Sequence, residues 1–245
     1  MAALTALLPV VLANNQTTSS IATNSQSTTA ENNAPSSFIE FNGSDQYMMI
    51  PHHADFNITT TESFTVSCWV KRNVLEADTR FVVKRVKNNA TIKSGYELWG
   101  NGISSQFFAV NSPNNTGDHN NSVSVYSNIP GYAGEWHHIA FVIDRTAGIM
   151  YEYHNGTAVA NSGIKPIAPW ECTNTYDVLV GAGFSEEDTP NYFLNGAIGG
   201  LHFYKRALSA EEITADATAE VGPETDGLVA AYDFQNITGL RVTDI

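Results

Sequence analysis

Alternation of apolar and polar residues, repeated in stretch after stretch, most narrows the folds open to this chain. Phe64-Thr-Val-Ser-Cys-Trp-Val70 follows it, as do Gly134-Glu-Trp-His-His-Ile-Ala-Phe-Val-Ile-Asp144 and the stretches 38–47 and 193–204. A period of two sends neighbouring side chains to opposite faces of a strand, so each stretch has one face that must be buried. Turn residues mark the edges, among them Asn42-Gly43 and Asn195-Gly196. Strands of this length at this spacing predict two facing antiparallel sheets.

The same reading places strands near 38–42, 46–51, 64–72, 79–85, 95–100, 105–110, 122–127, 137–144, 148–154, 157–160, 176–181, 194–204 and 227–234. One helix is expected. In Ser209-Ala-Glu-Glu212 the Ser oxygen accepts from an early helical N–H while the Glu reaches back, a capping box that predicts a helix from Ala210 to Asp216. His154-Asn-Gly-Thr157 predicts a two-residue hairpin, because Asn and Gly tolerate the positive φ of a type I′ turn.

With 42% hydrophobic residues, 245 residues bury a full core, and a sandwich of this length is ordinarily one domain. The formal charge of −13, from 25 acidic against 12 basic residues, argues against nucleic acid, whose phosphates demand clustered Lys and Arg. Residues 2–13 are almost all apolar and end Val11-Leu12-Ala13, small residues that suit a signal peptidase. The run is too short to span a bilayer as a helix. It reads as a secretion signal, or, if retained, as an assembly arm docking on its own sandwich or a neighbouring subunit. Residues 14–37, built from Asn, Thr, Ser, Gln and Ala, read as a polar stalk. Residues 1–37 thus lead into a sandwich domain at 38–245.

The stretches Phe38-Ile-Glu-Phe-Asn-Gly-Ser-Asp-Gln-Tyr47, Phe64–Val70, Gly134–Asp144 and Phe193–Ser209 resemble, in order and wording, the laminin G-like branch of the concanavalin A-like lectin and glucanase superfamily. The resemblance runs over roughly residues 38–216. It implies an all-β, concanavalin A-like jelly-roll sandwich of two antiparallel sheets with one short helix on the C-terminal side. Gly227-Leu-Val-Ala-Ala-Tyr-Asp-Phe234 and Arg241–Ile245 resemble the strand with which such domains usually open. Here they come last, so 227–245 closes this sandwich, begins a further module or is exchanged with a neighbour. Closure within the chain is the first choice, since an unpaired apolar strand invites aggregation.

Family glucanases carry their acid and nucleophile on alternate positions of one strand, as Glu-x-Asp-x-Glu. No such stretch exists in this sequence, and Glu186-Glu187-Asp188 are adjacent acids in a loop. Tyr204-Lys205 stands in the family's ordinary Tyr-x-Arg-Ala-Leu-Ser ending. The seven histidines form no hydrolase or zinc pattern, so the chain reads as a non-enzyme. The resemblance also implies a structural calcium held by oxygen ligands, with Asn42, Gly43 and Asp45 matching. Relatives often read Gly-x-Ile-Asp-Glu where this chain has Gly196-Ala-Ile-Gly-Gly200, which leaves Gly199 with only a carbonyl to offer.

Trp69, and Trp136 with His138 in the family's Trp-x-His opening, read as core support. Trp99, Trp170 and Tyr192 stand at strand ends or loops, where a ring face is available to stack on a sugar. The rim loops 111–121 and 184–192 add Asn114 and Asp188 as candidate ligand contacts. N-glycosylation triplets begin at Asn15, Asn42, Asn57, Asn89, Asn114, Asn120, Asn155 and Asn236. Cys68 lies within a strand and Cys172 in a loop, and the sequence leaves open whether they are bridged. Two functions are expected. One is an extracellular or surface-displayed module that binds a glycan or an extracellular protein through rim loops. The other is a structural subunit of a filament, surface layer or virion, a homo-oligomer assembled through the N-terminal arm and C-terminal strand.

Overall fold

The computed structural model describes residues 11–13, 34–75, 78–85, 93–102, 104–112, 122–128, 133–163, 172–184, 189–218, 225–234, 237–238 and 241–242. In chain order its strands begin with β1 (Val11–Ala13), β2 (Ile39–Asn42), β3 (Tyr47–Ile50), β4 (Phe64–Arg72) and β5 (Thr79–Arg85). Next come β6 (Lys93–Asn101), β7 (Ser104–Ser112), β8 (Ser122–Asn128), β9 (Trp136–Asp144), β10 (Ile149–His154) and β11 (Thr157–Gly163). β12 (Val178–Val180), β13 (Gly183–Phe184), β14 (Pro190–Asn191) and β15 (Asn195–Tyr204) lead to the helix α1 (Ala210–Asp216), and β16 (Leu228–Tyr232), β17 (Ile237–Thr238) and β18 (Arg241–Val242) follow.

Two antiparallel sheets face each other. The first runs β1-β3-β12-β5-β6-β7-β8; the second runs β11-β10-β9-β4-β15-β16. β2 and β16 share the free side of β15 end to end, β2 against 195–198 and β16 against 201–204. The apolar segment at 228–232 therefore closes this same sandwich, and Val11–Ala13 pairs with 47–49 at the edge of the first sheet. The remainder of the N-terminal segment and stalk up to residue 33 lies outside the described residues.

Alternation produces the core as expected. Phe64, Val66, Cys68 and Val70 of β4 and Ile139, Phe141 and Ile143 of β9 face Tyr96 and Leu98 of β6, Val125 of β8 and Val178 and Val180 of β12. The opposite faces of β9 and β15 are apolar as well, at Ala140, Val142 and Tyr204, because α1 and Leu208 cover them. A second, smaller core results, with Ile213 of α1 and Tyr153 of β10. The helix carries the expected capping box between Ser209 and Glu212. Asn155 and Gly156 turn the β10–β11 hairpin at φ 47° and 79°, the left-handed pair that a type I′ turn requires. Cys68 and Cys172 are unbridged thiols in the main core, and burial pushes the Cys68 thiol up to about 12.

Candidate functional site

On the outer face of the first sheet, register brings together residues far apart in sequence. Arg80 of β5 pairs with Trp99 of β6, Trp99 with Gln106 of β7, and Gln106 with Tyr126 of β8. Tyr96 and Leu98 point into the core, so Glu97 between them and Trp99 after them point out; Val125 likewise points in and Tyr126 out. At about 4.8 Å per strand, Trp99 and Tyr126 stand about 10 Å apart along this row. Tyr126 is 68% exposed, the most accessible large hydrophobic side chain among the described residues.

The other end of the row is a clamp. The Arg80 guanidinium carbon lies 4.8 Å from the centre of the Trp99 ring and 4.5 Å from that of Tyr192, within cation–π range of both. Glu97, two positions from Trp99 on the same face, accepts from Arg80 Nε at 3.1 Å and from Arg85 Nη1 at 2.9 Å. One carboxylate thereby fixes two guanidinium groups, and Arg80 Nη1 is buried without a hydrogen-bond partner. Gly183 makes room for the clamp, since a Cβ there would lie 2.7 Å from Arg80 Cγ. Tyr192 sits at φ 56°, a left-handed conformation that costs a non-glycine residue on the order of 1–3 kcal/mol. Its carbonyl accepts from Arg80 N–H at 3.0 Å, and its own N–H donates to Asn191 Oδ1 at 2.8 Å.

Of the ligand residues expected from sequence, Trp99 and Tyr192 are thus brought onto one arginine. Trp170, Asn114 and Asp188 lie outside the described residues. Arg80 and Tyr126 were missed because only cross-strand register connects them to Trp99, and Glu97 was missed although the period of two sets it on the same face of β6 as Trp99.

The proposed calcium ligands are not gathered in the same way. Asn42 Oδ1 accepts from the N–H groups of Ser44, Asp45 and Gln46, and its Nδ2 donates to Asp45 Oδ1 at 2.7 Å. The turn at Gly43 is closed on itself. Register sets Asn195, rather than Gly199, opposite Asn42, which leaves Gly199 four residues along β15, roughly 13 Å away. Among the described residues no group of three or more His, Cys, Asp or Glu side chains is placed to hold a metal.

Among the glycosylation candidates, Asn155 is exposed, and its Oδ1 accepts from His138 N–H at 2.8 Å. Asn57 is partly buried and its Oδ1 accepts from Asn174 N–H at 3.2 Å. Asn89, Asn114, Asn120, Asn236 and Asn15 lie outside the described residues.

A second polar cluster lies under α1. Asp216 accepts from Ser67 Oγ at 2.5 Å and Tyr204 OH at 2.6 Å, and it contacts His202 Nδ1 at 2.9 Å and His138 Nε2 at 3.3 Å. Burial alone would raise this carboxyl; the imidazoles of His202 and His138 overcome it and hold Asp216 well below the ordinary carboxylate range. Ser, His and Asp meet here, but the serine donates to the carboxylate rather than to an imidazole. No imidazole accepts its proton, so the cluster lacks the wiring of a Ser-His-Asp triad. It ties the end of α1 to β4, β9 and β15.

Residues 42–214 match a laminin G-like family model described as the concanavalin A-like lectin/glucanases superfamily. No curated protein matches the chain by sequence. Among solved structures, the receptor binding domain of botulinum neurotoxin C/D mosaic serotype superposes with a TM-score of 0.58 at 15% identity, over 85% of this chain and 45% of that one. A Bacteroides ovatus protein described as a candidate carbohydrate binding protein gives 0.57 at 14%, over 83% of this chain and 56% of that one. The botulinum neurotoxin serotype D ligand binding domain in complex with N-acetylneuraminic acid gives 0.57 at 15%, over 85% and 45%. The chain spans about half the length of these structures, and likeness at such identity is one of fold. The family match covers most of the chain and takes in most strands of both facing sheets: the chain belongs to the laminin G-like branch of the concanavalin A-like lectin/glucanases superfamily.

Proposed function

We propose that the protein is a non-catalytic, extracellular or surface-displayed module that binds a glycan across the outer face of its first sheet. The row Tyr192–Arg80–Trp99–Tyr126 carries this reading. Trp99 and Tyr126 are separated by two strand spacings, a span that suits every second pyranose ring of a chain, and aromatic faces stack on the C–H faces of such rings. Arg80, fixed by Glu97, holds the Trp99 and Tyr192 rings in place. The fold neighbours named for carbohydrate or receptor binding support the same class of function. A rigid sheet also presents a stacking platform at less entropic cost than a loop that must order on binding.

The test is a glycan array followed by calorimetry on the best ligand. Trp99→Ala and Tyr126→Ala should each weaken binding about tenfold, equivalent to about 1.4 kcal/mol, with unchanged circular dichroism. Undiminished affinity in both variants would remove the row as the ligand surface.

A further inference from the structure

One lysine ends the inward-facing row of β5. Lys84 stands in register with Tyr96, and Val82 with Leu98, so the period of two turns its side chain toward the interior, where it is fully buried. The segment leading into β12 meets this amine. Lys84 Nζ lies 2.7 Å from Tyr176 O, 3.2 Å from Asn174 Oδ1 and 3.1 Å from His52 Nδ1. All three are neutral acceptors. Asp177, whose Oδ1 accepts from His52 N–H at 2.9 Å, acts on the amine only through its charge. Burial outweighs that charge and lowers the Lys84 amine to about 8, which leaves roughly a tenth of it neutral at pH 7.

The Asn174 carboxamide is held at both ends. Its Oδ1 accepts from Tyr176 N–H at 3.0 Å, and its Nδ2 donates to Ser94 O at 3.0 Å. The segment carrying it is pinned as well. Asn174 N–H donates to Asn57 Oδ1 at 3.2 Å, Ser94 Oγ donates to Thr173 O at 3.1 Å, and Cys172 and Ile58 exchange backbone hydrogen bonds. A buried amine and a fixed carboxamide in contact replace a bimolecular encounter with an internal one. The Tyr176 N–H on Oδ1 is placed to stabilise negative charge that develops there.

We propose that Lys84 and Asn174 join spontaneously in an intramolecular isopeptide bond. The neutral Nζ attacks Cγ of Asn174 and a C–N bond forms. A proton from Nζ passes through His52 Nδ1 to Asn174 Nδ2, the Cγ–Nδ2 bond breaks, and ammonia leaves. Nothing is oxidised or reduced, and no co-reactant is needed. His52 suits the relay, because burial and then the Lys84 charge hold its pKa below the ordinary imidazole value and keep Nδ1 free to accept. A slow reaction suffices, since each chain reacts once. The product removes a buried charge that neutral acceptors alone support, and it ties β5 to a segment 90 residues away.

The test is intact-mass spectrometry of the denatured full chain, expressed in bacteria, with its termini assigned by peptide mapping. The wild type should fall about 17 Da below its sequence mass, one ammonia lost, and digestion should yield a branched peptide joining Lys84 to Asn174. Lys84→Met and Asn174→Ala should each restore the sequence mass, and His52→Phe should leave part of the freshly purified protein unlinked. A wild type at its sequence mass would overturn the proposal and leave Lys84 an unreacted amine. So would a deficit that persists in Lys84→Met, as ring closure at an Asn-Gly pair would produce. Should a variant not fold, the wild type decides: a complete peptide map without the branched species equally contradicts the bond. None of these results bears on glycan binding, which uses the opposite face of the first sheet.

Discussion

At the residue scale, the side chains inside the sandwich set the pH behaviour of the fold. Glu152 is raised to about 7 from 4.5 by burial, so its contribution is complete below about pH 4.5 and is lost as pH rises through 7. The largest effect of that shift is about 3 kcal/mol. His154 moves oppositely: burial and the neighbouring His137 lower it to about 4, so its contribution is complete above 6.5 and is lost as pH falls through 4. Between pH 4.5 and 6.5 the two limbs oppose each other. Chemical denaturation across that window should give the wild type a profile lying between those of the two single variants. Glu152→Gln should lose stability on acidification, and His154→Gln should gain it. Parallel profiles for all three proteins would show that these groups do not titrate as their burial requires. Trp99 and Tyr192 are different in kind, since their value lies in where Arg80 holds their rings.

At the scale of the element, α1 shows two kinds of fastening. Its capping box satisfies N–H groups within its own first turn, and Ser209→Ala should cost about 1 kcal/mol. Asp216 at the other end joins four side chains from three strands, and Asp216→Asn leaves donors facing the wrong group, which should cost about 3 kcal/mol. Denaturant titration of the two variants, with hydrogen exchange on 210–216, should show the larger loss and the faster exchange for Asp216→Asn. Equal effects would mean that the buried network adds nothing beyond an ordinary cap. This contrast also marks what was legible in sequence. The Ser209 to Glu212 box and the Asn155-Gly156 turn are local chemistry and appear in the expected places. The strands at 64–72, 79–85 and 194–204 follow from period two and lie within a residue of their expected bounds. The Asp216 network, the Arg80 clamp and the approach of Lys84 to Asn174 are set by pairing between strands distant in sequence, and no local pattern reports that register. The short pairs β13–β14 and β17–β18 also escaped, each strand being two residues long.

At the scale of the whole molecule, two sheets share one core but differ on their outer faces. The second sheet buries part of its outer face under α1, while the first displays Trp99 and Tyr126. An acidic chain with a charge of −13 does not collect a ligand by general attraction to phosphate, and in the proposed reading recognition rests on shape and stacking at a fixed platform. Laminin G-like folds support many functions, and the site decides among them. The measurement that bears most directly on this account is the structure of the chain bound to an oligosaccharide selected from the array. The account predicts a pyranose ring stacked on Trp99, with the next sugar extending over β7 toward Tyr126. A saccharide held at the tips of the sandwich, with the outer face of the first sheet bare, would contradict it.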